Sequence, residues 1–362
     1  MPKRVFDPLT LFTSTLMRAP EWLISATAGP PIALDGRELQ RATQFMLLFA
    51  ATSLGKTGQS VAVGRLNTEL GARAVGVPLA GVTVTKTAIP GPAGDLAAWI
   101  YRPKPRRATP QEADLPPQPT APAIVFYHGG GWSVGSLRSH DSPARALSLA
   151  AQATVISVDY RMAPEHRFPA APLDCLAAYA WVRSQAELLE INPDAIAVMG
   201  DSAGGNLAAV VAQQCRNQAI PAPAVQALVY PATDLTFDTT VHNRLGDDFY
   251  LTVDEMEWFR KAYLLWDSDQ ERRDPMVSPI FGDLTDLPPA LVWTAGFDPL
   301  REQGERYADA LRAAGNRVFS RCYEDQTHGF LNFAALPGAI PRLGQMGAQV
   351  RAALDLVSQQ PN

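Results

Sequence analysis

Ile196-Ala197-Val198-Met199-Gly200-Asp201-Ser202-Ala203-Gly204-Gly205-Asn206-Leu207-Ala208-Ala209 decides how the rest of the chain is read. An apolar run of strand character stops at Gly200, a serine stands between two glycines, and a small-residue helical pattern begins at once. This order predicts a nucleophile elbow, a cramped strand-to-helix turn that lifts the Ser202 hydroxyl above the end of a sheet and leaves no room for side chains at Gly200 and Gly204. The amides just after the serine, Ala203 first, open the helix, where unpaired N–H groups and the helix dipole favour developing negative charge. The pentapeptide is weak evidence alone, because glycine and serine are common and Gly131-Trp132-Ser133-Val134-Gly135 matches it too. Context separates the two. Ser202 has a strand on one side and an unbroken helical pattern on the other, whereas Ser133 runs on into the loop-like Gly135-Ser136-Leu137-Arg138-Ser139-His140. Ser202 is the candidate nucleophile and Ser133 a loop residue.

Outward from the elbow the chain alternates short apolar runs with amphipathic ones. Strands are expected at 123–128, 154–160, 195–199, 225–230, 290–295 and 318–323, and helices at 144–153, 173–189, 203–217, 302–314 and 338–357. Such a rhythm means an α/β fold with a mostly parallel sheet covered on both faces. Ahead of it, 82–101 alternates around the turn-forming Pro90-Gly91-Pro92-Ala93-Gly94-Asp95 and reads as an antiparallel hairpin, expected as the sheet neighbour of the strand that begins at 123. Seven prolines in 103–122 mark an exposed loop. Residues 1–78 carry helical patterns without strands, at 9–17 and 36–54. Gly55-Lys56-Thr57 mimics a phosphate-binding loop but lacks its first glycine, since Ala50 stands there, and follows a helical pattern, so nucleotide binding is not expected. One aromatic-rich segment, 234–285, interrupts the rhythm with helices of its own and is placed to cover the carboxyl ends of the strands.

A serine hydroxyl needs a base to take its proton, and the base needs an acid to hold its tautomer. Of the five histidines, His328 in Asp325-Gln326-Thr327-His328-Gly329-Phe330 falls after the last expected strand, at the same sheet edge as Ser202. Asp298, in Ala295-Gly296-Phe297-Asp298-Pro299-Leu300, follows the preceding strand, and also suits a helix N-cap ahead of Pro299. Asp325 and Glu324 are rival acids. The chain order Ser202, Asp298, His328 is the one such sheets use. Directly after a strand stands His128-Gly129-Gly130-Gly131, whose glycines let backbone N–H groups approach a tetrahedral oxyanion, with the Ala203 amide as a further donor.

These segments, with Trp132, Asp159-Tyr160-Arg161-Met162-Ala163-Pro164-Glu165-His166-Arg167-Phe168-Pro169-Ala170 and Pro288-Pro289-Ala290-Leu291 leading into Asp298, resemble the hormone-sensitive-lipase family of α/β-hydrolases over roughly residues 80–357, including the Gly-Asp-Ser-Ala-Gly form of the elbow. The resemblance implies an α/β-hydrolase fold and a carboxylesterase acting on short- to medium-chain acyl esters through an acyl-enzyme. It implies Gly130 and Gly131 as oxyanion donors, a catalytic core at 79–233 and 286–362, and a cap over the acyl pocket built from residues 1–78 and 234–285. An amidase, lactonase or carbamate hydrolase on the same triad is the alternative, and a binding protein on the hydrolase scaffold a more distant one.

Composition narrows the partners. A net charge of -5 among 362 residues, with no basic cluster interleaved with aromatics, argues against nucleic acid. Cys175, Cys215 and Cys322 are odd in number and form no Cys-x-x-Cys pair, so neither a disulfide framework nor a metal site is expected, and the triad needs no cofactor. No apolar stretch approaches a membrane span, and the N-terminal stretch is broken by Asp7, Thr10, Thr13, Ser14 and Arg18, a poor signal peptide. The expectation is a cytoplasmic enzyme of small-molecule esters without stable membrane insertion. A homodimer is compatible with the sequence, and the N-terminal helices suit a lid, a core or a lipid-surface contact.

Overall fold

The computed structural model describes residues 15–53, 60–104, 120–236, 245 and 249–358. Most of the helical pattern at 9–17, the Gly55-Lys56-Thr57 motif, all but the ends of the proline-rich 103–122 stretch, and Phe237 lie outside the described residues.

The N-terminal part holds α1 (Glu21–Thr27), a two-stranded hairpin of β1 (Ala33–Leu34) and β2 (Arg37–Glu38), α2 (Arg41–Ser53) and α3 (Val61–Val75). The hairpin corrects the expectation of helices without strands there, and it delays the second helix from 36 to Arg41. Its cause is local: Asp35 and Gly36 both take positive φ, 51° and 77°, as the primed hairpin turns demand of an Asp-Gly pair.

Then come β3 (Val82–Gly91), β4 (Gly94–Pro103), β5 (Ala121–Tyr127), α4 (Asp141–Ala151), β6 (Thr154–Val158), α5 (Ala170–Ser184), β7 (Ile191–Asp201), α6 (Ala203–Asn217) and β8 (Val225–Val229). After the inserted α7 (Val253–Tyr263) and α8 (Asp269–Arg272), the core resumes with β9 (Ala290–Phe297), α9 (Arg301–Ala313), β10 (Val318–Thr327) and α10 (Ala339–Ser358). The eight-stranded sheet has the order β10-β9-β8-β7-β5-β6-β4-β3. Strands β5 to β10 are parallel, and the β3–β4 hairpin joins antiparallel through β6, with Ala98 opposite Val158 and Tyr101 opposite Val155. The hairpin is therefore not the neighbour of β5, as the sequence suggested. β5 is apolar on both faces and takes a central place between β6 and β7, while β3, with its half-exposed alternation, forms the edge.

Successive residues of the parallel strands feed two cores, one on each face. Ala123, Val125 and Tyr127 of β5 pack with α5, α6 and α9, through residues such as Tyr179, Leu207 and Tyr307. Ile124 and Phe126 point the other way, toward α4, α10 and the N-terminal helices, through Leu147, Met346 and Phe45. On that second face α10 lies against α4 at Gly347, where an added Cβ would stand 2.5 Å from the Ala150 Cβ. Gly344, one turn away on the same helix, meets nothing within 4 Å. Two substitutions should thus act in opposite directions in urea unfolding. Gly347→Leu should cost about 1–3 kcal/mol by forcing the helices apart, and Gly344→Ala should stabilise by up to about 1 kcal/mol through helix propensity. Equal effects at the two positions would contradict this packing.

Candidate active site

Ser202 sits where β7 ends and α6 begins, with φ 56° and ψ −119°, a backbone conformation strained for any residue with a Cβ. Its amide donates to the Val229 carbonyl at 2.9 Å, and its own carbonyl accepts from the Asn206 amide at 3.0 Å, which pins the turn at both ends. The tightness falls on the flanking glycines. A Cβ at Gly204 would overlap the Tyr127 carbonyl oxygen, and one at Gly200 would overlap the Gly204 backbone. The Asn206 side chain then ties the helix start to the chain beyond, donating to the Ala232 and Val277 carbonyls at 2.7 Å each.

Asp298 is the first residue after β9 and His328 the first after β10, so three parallel strands deliver three side chains to one edge of the sheet. His328 Nε2 lies 3.0 Å from Ser202 Oγ, and His328 Nδ1 lies 2.8 Å from Asp298 Oδ2. The second Asp298 oxygen accepts the Leu300 amide at 2.8 Å in a turn ahead of α9, whose N-cap is Leu300, so Asp298 is not the N-cap the sequence suggested. Asp298 is buried, at 1% exposure, and its carboxylate can only accept, which orients the imidazole with Nδ1 toward Asp298 and Nε2 toward the Ser202 hydroxyl. Of the rival acids, Glu324 is engaged elsewhere, its carboxylate held by Arg301 at 2.8 and 3.1 Å, and His328 Nδ1 bonds Asp298 rather than Asp325.

The His128-Gly129-Gly130-Gly131 loop leaves β5 beside the elbow. Gly130 and Gly131 take positive φ, 119° and 55°, and a Cβ would overlap Val134 at the first and the Phe259 ring at the second. Only glycine fits either place. Gly130, Gly131, Ala203, Ser202 and His328 line one cleft of about 1140 Å³, its open mouth included. His128 serves the loop rather than the cleft: it is fully buried, stacks on Tyr160 at 4.4 Å, and bonds the Gly129 carbonyl through Nδ1 at 2.8 Å. Burial, with His140 nearby, pushes its pKa down to about 3, so it is neutral. Ser133, the second serine of the motif, is buried behind the loop, and among the described residues its Oγ has no hydrogen-bond partner.

The inserted segment lines the cleft with Tyr250, Leu251, Met256 and Phe259, and Thr68 comes from α3. Thr68 was invisible in the sequence, since nothing in the α3 pattern distinguishes a cleft-lining threonine from a surface one. Glu255 also faces the cleft; burial raises its pKa, while bonds from the Thr252 backbone and hydroxyl oppose the rise. Among the described residues no group of three or more His, Cys, Asp or Glu side chains is arranged to hold a metal ion, and no helix is long and apolar enough to cross a membrane.

Fold and site together define the class: the chain belongs to the alpha/beta hydrolase fold family, whose sequence profile matches residues 124–332. It is similar to the carboxylic ester hydrolase LipN of Mycobacterium tuberculosis, 42% identical over 322 residues that cover 86% of this chain and 82% of that one. The ethyl acetate hydrolase of Pseudomonas putida is 38% identical over 243 residues, 67% of this chain and 73% of the relative. Among solved structures, the hyperthermophilic esterase of the archaeon Pyrobaculum calidifontis superposes with a TM-score of 0.77 at 37% identity, covering 86% of this chain and 96% of that chain. The protein is a carboxylic ester hydrolase of the hormone-sensitive-lipase group, acting on small-molecule substrates.

The neutral, buried His128 has a measurable consequence. Its folded pKa is below the unfolded value, so the unfolded chain binds the proton first and stability is full above about pH 6.5. Stability should fall as pH drops from 6.5 toward 3, and in the part of that window above pH ~5.5, where most carboxylates are already ionised, His128→Asn should flatten the slope of melting temperature against pH. An unchanged slope in the variant would assign the acid sensitivity to other groups.

Proposed function

We propose that the protein is a serine carboxylesterase for short- to medium-chain acyl esters, working through an acyl-enzyme on Ser202, His328 and Asp298. The observation that carries the reading is the unbroken hydrogen-bonded chain from Ser202 Oγ through His328 to the buried Asp298, opening on the cleft. In this reading His328 Nε2 takes the Ser202 proton as Oγ attacks the ester carbonyl. Asp298 stabilises the imidazolium that forms, and the amides of Gly130, Gly131 and Ala203 receive the oxyanion. The tetrahedral intermediate collapses, His328 returns the proton to the departing alkoxide, and the alcohol leaves. Water, deprotonated by the same histidine, then adds to the acyl-enzyme; collapse of the second intermediate releases the acid and restores the serine. The chemistry requires no cofactor, no nucleic acid and no membrane insertion, and it is compatible with a cytoplasmic monomer or homodimer.

Residues 1–78 and 234–285 act, in this reading, as the cap over the core formed by 79–233 and 286–362. The lining of the cleft supports it, since Thr68 comes from the first segment and Phe259 from the second. A second cavity of about 660 Å³, its open part included, supports the chain length and shares Thr68, His140, Tyr250 and Asn332 with the cleft. Beyond this neck the walls are largely apolar, with Met17, Met46, Phe49, Val75 and Phe333. The acyl group stays attached to the serine while the alcohol must leave, so the second, largely apolar cavity suits the acyl tail and the mouth of the cleft suits the leaving group. The activity named for the ethyl acetate hydrolase supports the short end of the range.

A p-nitrophenyl ester series from acetate to palmitate tests the reading. Activity should peak at short to medium chains, fall by about 10⁴-fold or more in Ser202→Ala, and be retained in Ser133→Ala. Gly71 lines the second cavity with nothing within 4 Å of an added Cβ, so Gly71→Leu should narrow it without disturbing α3. Octanoate should then lose ground to butyrate by about fourfold for each methylene excluded. Full activity in Ser202→Ala would overturn the mechanism, and an unchanged octanoate-to-butyrate ratio in Gly71→Leu would overturn the assignment of the tail.

A further inference from the structure

The residue before the nucleophile is a buried carboxylate that the triad does not use. Asp201, 2% exposed, accepts the Gly129 amide on Oδ1 at 2.9 Å, and His140 Nε2 makes an ion-pair contact with the same oxygen at 3.2 Å. Its Oδ2 accepts from the Tyr230 hydroxyl and from Asn332 Nδ2, each at 3.2 Å. The Tyr230 oxygen in turn accepts the Leu331 amide at 3.3 Å, and the Tyr230 ring packs on His328 with centroids 4.6 Å apart. One carboxylate thus reaches both loops that must meet Ser202: the glycine loop through Gly129, and the histidine loop through Asn332 and Tyr230. It also packs so close to the glycine loop that a Cβ at Gly129 would stand 2.6 Å from Asp201 Oδ2.

His140 completes the cluster at the start of α4. Its Nδ1 lies 2.9 Å from the Ser139 hydroxyl, and its Nε2 approaches Asp201 Oδ1 to 3.2 Å, a close contact that falls short of a hydrogen bond. The imidazole thus stands against the same carboxylate oxygen that accepts the Gly129 amide.

We propose that Asp201 and His140 are a positioning pair, holding the oxyanion loop and the histidine loop in register with Ser202. The proposal rests on the serine-esterase reading above. Neither side chain takes part in bond making, so the effect falls on the transition state rather than on ester binding.

The experiment is a double-mutant cycle of Asp201→Asn and His140→Gln, with p-nitrophenyl butyrate kinetics beside the wild-type enzyme. Each single variant should lose roughly 10- to 100-fold in kcat with KM within about threefold, since one oxyanion donor is typically worth 10²–10³. The double variant should lose no more than the worse single, because the two side chains act as one unit. A trifluoromethyl ketone, which forms a tetrahedral adduct on the serine, should weaken in parallel with kcat/KM, whereas simple loss of structure would lower the active fraction without changing the affinity of the enzyme that remains. Multiplicative losses, single variants within threefold of wild-type kcat, or unaltered ketone affinity would each overturn the pairing. If Asp201→Asn does not fold, His140→Gln alone decides by the same kcat and ketone criteria. Failure of the esterase reading shows separately, as a wild-type enzyme without activity or a Ser202→Ala variant that keeps it.

Discussion

The backbone of Ser202 is the constraint on which the rest of the site depends. Held at φ 56° and ψ −119° between a strand and a helix, it is a conformation the chain adopts only because its neighbours leave no other. Gly200, Gly204 and Tyr127 close around it so tightly that a single added carbon would collide with backbone. The two-sided sheet supplies the rigidity. β5 and β7 lie side by side in register, Tyr127 against Gly200, with an apolar core on each face, so the collision partners cannot retreat.

The same register explains why the other functional groups converge. In a parallel sheet every strand ends at the same edge, and β5, β7, β9 and β10 end at His128, Ser202, Asp298 and His328, each the first residue beyond its strand. Strand order keeps them within reach although long stretches of chain separate them. The insertion between β8 and β9 and the helices ahead of β3 arrive over that edge, which is why Phe259 and Thr68 face one cleft. The polar interior beneath it is economical in groups: Asp201 serves both loops, and although burial opposes it, its contact with His140, together with the bond from Gly129, holds its carboxyl below the usual range.

Much of this could be read from the chain because it is written in local patterns. The strand–turn–helix context of Ser202, the glycine run after a strand, and the positions of Asp298 and His328 just past apolar runs are all short-range signals. The parallel core and the helix at 203–217 follow from the same periodicities. What escaped was decided by long-range pairing or by a small signal outweighed by a larger one. The Asp35-Gly36 turn was hidden in a helical context, and the attachment of the β3–β4 hairpin to β6 depends on which strand could be buried on both faces, a competition no single segment reveals. His140 had no local mark at all, and only its contact with Asp201 gives it a role.

Covalent labelling tests the central claim most directly. A fluorophosphonate reacts with an activated serine hydroxyl and stays attached, so digestion and mass spectrometry of the labelled protein identify the residue. The account predicts one adduct, on the peptide containing Ser202, absent in Ser202→Ala and strongly slowed in His328→Ala. An adduct on Ser133, or labelling that persists undiminished in Ser202→Ala, would contradict it.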